Sequence, residues 1–394
     1  KSVVGGVDDE AGCRQQFLRN NLVVFIFLAL SLAALPFSGQ AGAIPDNLMA
    51  RVSRNAFLVF ALIIPIYAGM GINFSMTLGA MAGQIGLIFC VDWNVVGVWG
   101  LLFAAVIGTP IAIGFGLLAG SVLNRCKGRE MVTSLILGFF MEGVYQLIVL
   151  YMFGSIIPLR SPNIELSRGY GIRNILNLAT VRGSLDDLVA IKTPAFSIGD
   201  FAMGSVKIPI VTLAIIVALA FFIVWFKKTK LGQDMRAVGN DMAVAKAAGI
   251  DVDRTRIISI VISTVLACYG QIIFLQSINN MMTTDAQSQT GFMAAAAILV
   301  GGATASHASI KNVLIGVTLL HFMFETVPNA APRIMGQADV AEYFRSFLSY
   351  GVIALSLVLH AYREKKKEEE ARKAERIAAG ESAAANAAAK EARS

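Results

Sequence analysis

Glu142 lies in the middle of a long apolar run, 131–153, with Gly138 one turn before it and Gln146 one turn after it on the same helical face. A carboxylate there has two uses. It lines a wet cavity or it pairs across helices, because an ionisable group in hydrocarbon costs a few kcal/mol unless hydrated or partnered. Other apolar runs carry polar side chains too: Asn73, Ser75, Thr77 and Gln84 in one, Gln271 and Gln276 in a second, and Glu325 one turn after His321 in a third. Asn73, Gln84, Glu142, Gln146 and Gln271 are the candidate pathway for a hydroxylated or amide-bearing solute. Glu325 and His321 are spaced to pair locally. None of these groups has catalytic or metal-ligating spacing, and His307, His321 and His360 stand apart. No GxxxxGK[ST] phosphate cradle occurs, so this chain is expected to use no cofactor and any nucleotide chemistry falls to a partner. The chain reads as a conduit rather than an enzyme.

The elements that position such groups follow from composition. Of 394 residues, 56% are hydrophobic and only 15% charged, with a mean hydropathy of +0.66. A soluble domain needs more polar surface. Apolar runs approaching ~20 residues mark helices that cross a bilayer, and the short alternating segments of a barrel are absent. The expected fold is all-α, a polytopic transmembrane bundle of about ten spans: 21–37, 57–70, 72–90, 97–124, 131–153, 207–226, 256–276, 292–304, 309–327 and 342–361. Segments 57–70, 72–90 and 292–304 read as short or interrupted. Broken helices survive in lipid only beside protein or a wet cavity. Cys13, Cys90, Cys126 and Cys268 show neither metal nor disulfide spacing. The net charge of +7 fits basic loops on one membrane side better than nucleic acid as a partner.

Lys and Arg orient the spans. Segment 227–256 holds Lys227, Lys228, Lys230, Arg236, Lys246, Arg254 and Arg256, and the turn at 125–130 adds Arg125, Lys127 and Arg129. Placing both in the cytoplasm satisfies the positive-inside bias. Both termini are then cytoplasmic, with an N-terminal segment 1–20, a membrane domain 21–361, an outer loop 154–206 and a charged tail 362–394. The first apolar run also has the form of a signal sequence; the retained span is the reading adopted. The outer loop is too long for a plain connection. It serves either as a docking platform for an extracytoplasmic solute-binding protein or as an ordered lid.

The polar stretch Gly232–Arg256, "GQDMRAVGNDMAVAKAAGIDVDRTR", separates two spans. Two short helices are expected there. The second is capped by Asn240 or Asp241 and closed by Gly249 in a left-handed C-cap, with Ile250 as the apolar lock. Ala243, Ala247 and Ala248 keep that helix slender enough to enter another protein's groove. The flanking spans, which hold the stretch against the bilayer, weigh against a DNA-reading helix pair; a plain connector and a force-receiving coupling element are the other readings.

At Gly232, Arg236, Ala237, Gly239, Asn240, Ala243, Ala248, Gly249 and Ile250 the stretch resembles the cytoplasmic loop of permease subunits in bacterial ABC importers for simple sugars, nucleosides and branched-chain amino acids. "GINFSMTLGAMAGQIG" (71–86), "CKGREMVTSLILGFF" and "AAAAILVGGATASHASIKNVLIG", with Gly301 and Gly302, resemble the same permeases more loosely, over roughly 57–360. The resemblance implies a multi-pass protein of the bacterial inner membrane. Its partners would be a cytoplasmic ATP-binding subunit that uses ATP and Mg, a second permease copy or homologue, and a solute-binding protein. The Gly-Gly-Ile-Asp-Leu-Ser run usual in the sugar branch is missing, and "SHAS" replaces the hairpin's second glycine cluster, so nucleoside and simple sugar both stay open. A gradient-driven carrier or channel working alone is the alternative.

Overall fold

The apolar runs become helices, and the polar residues between them set where each begins. The computed structural model describes residues 22–39, 42–161, 164–166, 171–194, 196–198, 201–304 and 307–335, with single positions 343, 347, 351, 354, 358 and 362. The expected segment 1–20, nearly all of the span 342–361 and the tail after Tyr362 lie outside the described residues. In chain order the helices are α1 (Leu22–Ala34), α2 (Ile44–Ala61), α3 (Ile63–Tyr67), α4 (Met76–Asp92), α5 (Gly97–Arg125), α6 (Glu130–Leu147), α7 (Ile210–Lys228), α8 (Lys230–Asn240), α9 (Met242–Ala247), α10 (Val252–Gln276), α11 (Thr290–Val300) and α12 (Ile310–Met335). A wider π turn, Ile148–Met152, extends α6. Among the described residues, 6 helical stretches are long and apolar enough to cross a membrane, and Val24–Phe37, Met76–Asp92 and Thr290–Val300 are apolar but shorter.

One expected span changes character. The segment begun at 57 is the second half of a 24-residue apolar stretch, Ile44–Tyr67, so it is not short, but it is interrupted as expected, at Leu62 between α2 and α3. Pro45 sits in its first turn, where a missing N–H costs nothing. Asn47, Arg51 and Arg54 lower the hydropathy of the first half, but the fold gives the first two a carboxylate and the third an aromatic face. Glu325 of α12 accepts Asn47 Nδ2 at 2.6 Å and Arg51 Nε at 2.9 Å, and the Arg54 guanidinium lies 5.3 Å from the Phe274 ring centre. Glu325 therefore bridges to α2 rather than pairing with His321, whose ring packs near Phe324.

The centre of the bundle is α4, buried along nearly its whole length. Small residues make this possible by letting backbones approach. A Cβ at Gly79 would stand 2.2 Å from the Thr264 carbonyl oxygen of α10, and one at Gly86 would stand 2.2 Å from that of Ala104 in α5. These glycines pack α4 without interrupting it; the break lies upstream, between Tyr67 and Met76. The expectation of a short helix at 292–304 holds for α11. At 1.5 Å per residue, α11 reaches about 16 Å, roughly half the hydrocarbon thickness.

The expected outer loop, 154–206, contains no helix among its described residues. Three antiparallel ribbons form instead: β1 (Ile175–Asn177) with β6 (Asn280–Met282), β2 (Ala190–Lys192) with β5 (Lys207–Pro209), and β3 (Phe196–Ile198) with β4 (Phe201–Met203). The Ile175↔Met282 register ties this layer to the end of α10. The Gly183 N–H donates to the Gln276 carbonyl at 2.8 Å. "RNILNLA" and "DDLVAI" are thus parts of an ordered cap, at the end of the bundle opposite α8 and α9.

Candidate functional site

A shallow, open cleft lies between α4, α6 and α11, with about 20 Å³ of room for water-sized atoms, about one water. Its polar groups are few: Thr77, Glu142 and Ser288. Its apolar wall is aromatic. Phe292 stands with its ring centre 5.5 Å from that of Phe74 and 6.1 Å from that of Phe139. Gly138 and Gly291 complete the opening.

Local sequence explains how these groups meet. Asn73 Oδ1 accepts the Ser75 N–H at 3.0 Å, closing the turn that starts α4. The Ser134 hydroxyl of α6 accepts the Phe74 N–H at 3.1 Å and fixes the height of that turn. Two helix amino ends, those of α4 and α11, therefore sit at the cleft, each carrying partial positive charge. Glu142 is half-buried between them, makes no hydrogen bond or ion pair to a described residue, and feels the like charge of Asp285. A carboxylate and two hydroxyl oxygens among aromatic faces suit a solute with donating hydroxyls and an apolar side.

The other pathway candidates sit elsewhere. Gln84 is fully buried and its Oε1 accepts the Tyr145 hydroxyl at 2.8 Å, clamping α4 to α6. Gln271 donates to the Ala286 carbonyl at 3.1 Å and accepts from Thr290 at 3.2 Å, holding the segment that leads into α11. Asn73 is buried behind the α4 turn and Gln146 is half-buried on α6; neither lines the cleft. Phe74, Phe139, Ser288 and Phe292 were missed, since a sequence carries no signal that brings residue 74 beside residue 292. Tyr145→Phe would leave the buried Gln84 oxygen unpaired, at about 1–3 kcal/mol. A thermal midpoint lower by several degrees in detergent checks it.

At one end of the bundle α8 and α9 form a knob. Asp241, not Asn240, is its cap: Oδ1 accepts the Ala243 N–H at 2.7 Å and the Val244 N–H at 3.0 Å. Gly249 has φ +82, which L side chains rarely adopt. The Ile250 N–H returns to the Ala245 carbonyl at 3.1 Å while that of Gly249 meets Lys246 at 3.0 Å, the paired bonds of a Schellman ending. Ile250 packs against Val238, Ala245 and Val252. Arg236, Asn240, Ala243, Val244, Ala247, Ala248 and Gly249 are exposed, and Ala237 is half-buried.

Two glycines of the knob face inward instead. A Cβ on Gly232 would stand 2.1 Å from the Phe226 carbonyl oxygen. One on Gly239 would stand 2.2 Å from the Tyr67 carbonyl oxygen and 3.0 Å from the Gly69 nitrogen. The knob thus rests, backbone on backbone, against the chain that rises from Gly69 to Phe74 in the cleft.

Comparison with known proteins agrees with this architecture. The family model described as branched-chain amino acid transport system / permease component matches residues 44–357. Over 178 residues the chain is 27% identical to the galactose/methyl galactoside import permease of Salmonella typhimurium, covering 44% of this chain and 49% of that protein. It is 30% identical over 118 residues to a nucleoside ABC transporter permease of Lactococcus lactis subsp. cremoris, covering 30% of each. With the ribose import permease of Haemophilus influenzae identity is 24% over 173 residues, 43% of this chain and 50% of that one. The matches span half or less of these relatives' lengths. No solved structure matches the chain.

Proposed function

Because the chain belongs to the branched-chain amino acid transport system / permease component family of ABC importers, we propose that it forms the membrane path of an ATP-driven importer. As a multi-pass inner-membrane protein, it would carry a small hydroxylated solute through the cleft at Glu142 by alternating access. The backbone contact of Gly239 with Tyr67 and Gly69 carries this reading. It joins an exposed knob to the segment that ends in the cleft at Phe74. A separate ATP-binding subunit, using ATP and Mg, closes and pushes on 232–250. The push passes through Gly239 to the Gly69–Phe74 segment, and the cleft wall shifts. A second permease copy or homologue completes the path, and a solute-binding protein delivers solute to the β-ribbon cap. Ten spans with both termini in the cytoplasm satisfy this arrangement.

The cleft and the relatives together support a solute class. An acceptor carboxylate, two hydroxyls and three phenylalanine rings favour a neutral sugar or nucleoside over an anion. The relatives' names, galactoside, ribose and nucleoside, fall in the same class.

Coupling is tested at the knob. A single cysteine at Ala247 should crosslink to the ATP-binding subunit. Gly249→Val, which strains a left-handed backbone, and Arg236→Ala should cut solute-stimulated ATP hydrolysis and uptake at least tenfold while membrane insertion stays normal. Normal uptake in both variants, or uptake by the purified chain in liposomes with no ATPase present, would overturn the importer reading.

A further inference from the structure

Beneath the knob lies an ion pair that the transport reading has not used. Arg256, near the start of α10, is the largest fully buried side chain among the described residues. Its Nη2 donates to Glu130 Oε1 at 2.5 Å and its Nη1 to the Met242 sulfur at 3.2 Å. Three elements meet at this one guanidinium. Met242 opens α9 in the knob, Glu130 opens α6, and α6 carries Gly138 and Glu142 of the cleft wall two and three turns further on.

The bonding is poor for a group so deeply buried. Guanidinium offers five N–H donors and pairs best with both carboxylate oxygens at once. Here one carboxylate oxygen and a thioether, a weak acceptor, are engaged, while Nε is buried without a partner. An ion pair kept for stability alone is commonly replaced by apolar residues at no loss. The neighbouring Lys127–Asp253 pair joins the same two helix ends at the surface, so a tether already exists. What Arg256 adds is a contact to the knob itself.

We propose that Arg256 and Glu130 are positioning residues, forming the joint that carries displacement of the α9 knob into α6 and so into the cleft wall. The proposal rests on the coupling reading above. Movement of Met242 shifts the guanidinium; the guanidinium holds Glu130; α6 then moves as a rod about the contact of Ser134 with Phe74, in the turn before α4. The two routes from the knob, through Gly239 to the α4 turn and through Arg256 to α6, end on facing walls of one cleft.

The test uses the assembled transporter in liposomes, with spin labels at Phe140 in α6 and Val106 in α5, both exposed. ATP with vanadate is the probe. In the native chain the label distance should change when the probe binds. In Arg256→Met/Glu130→Met the change should fall to less than a quarter, with the thermal midpoint and the bound ATPase unchanged. If that variant does not insert, Arg256→Gln/Glu130→Gln is read in the same way. An equal change in the double variant overturns the joint and leaves the importer reading standing. A native chain that binds no ATPase, or shows no change with the probe, sinks that reading and the joint with it.

Discussion

Glu142→Leu should leave the bundle more stable and reduce uptake to one-hundredth of the native rate or less. The carboxylate has no described partner and faces the like charge of Asp285. A charge at mid-bilayer costs about 2–3 kcal/mol on insertion scales, and part of that is returned when an apolar group replaces it. Glu142 is half-exposed at the cleft, so the gain is smaller, about 1 kcal/mol, or about 2–4 °C in the thermal midpoint. Transport fails for a separate reason. The cleft loses its one charged acceptor, and a solute that has left water finds nothing to replace its hydrogen bonds. Vesicle uptake and a detergent melting curve, measured on one preparation, decide it. A less stable protein with native uptake would place Glu142 in a structural role.

Gly239→Leu should lower ATP-driven uptake by at least fiftyfold while the protein still inserts and still binds its ATPase. The substituted Cβ would fall 2.2 Å from the Tyr67 oxygen, closer than any real contact, so α8 must move off α3. Overpacking of this kind costs typically about 1–3 kcal/mol, too little to unfold a bundle held by α4, α5 and α10. It is enough to open a gap between the knob and the Gly69–Phe74 segment. Gly239→Ala should fall between the native chain and the leucine variant. Uptake that declines with side-chain volume, at constant expression and constant ATPase binding, is the expected signature.

What could be read from sequence divides along the range of the forces involved. The knob was legible because its chemistry is local: a cap accepting from two and three residues on, a glycine with positive φ, and an isoleucine locking back onto Ala245. Helical spans were legible where apolar runs were uninterrupted. The start of α2 was not, because Arg51 and Asn47 look forbidding until Glu325, far along the chain, meets them. The same limit hid the roles of Gln84 and Gln271. Both read as pathway groups from their depth in apolar runs, yet Tyr145 in one case and Ala286 with Thr290 in the other occupy their hydrogen-bonding capacity. Glu142 carried the opposite signal, a carboxylate with nothing nearby in sequence to neutralise it, and it is the candidate that lines the cleft.

The enclosure of α4 bears on how the protein is made. A helix wrapped on every side by its siblings has no face of its own to offer to fatty acyl chains, and its glycines would make a loose, poorly anchored rod if it entered the bilayer alone. Its two principal jackets are translated later, the second some 160 residues downstream (Val252 onward). The newborn segment must therefore wait beside the insertion machinery, half-clothed, until α10 arrives to shut the last side. A ribosome stalled before residue 252 should leave α4 open to digestion or chemical labelling, and one stalled after 276 should find it sealed.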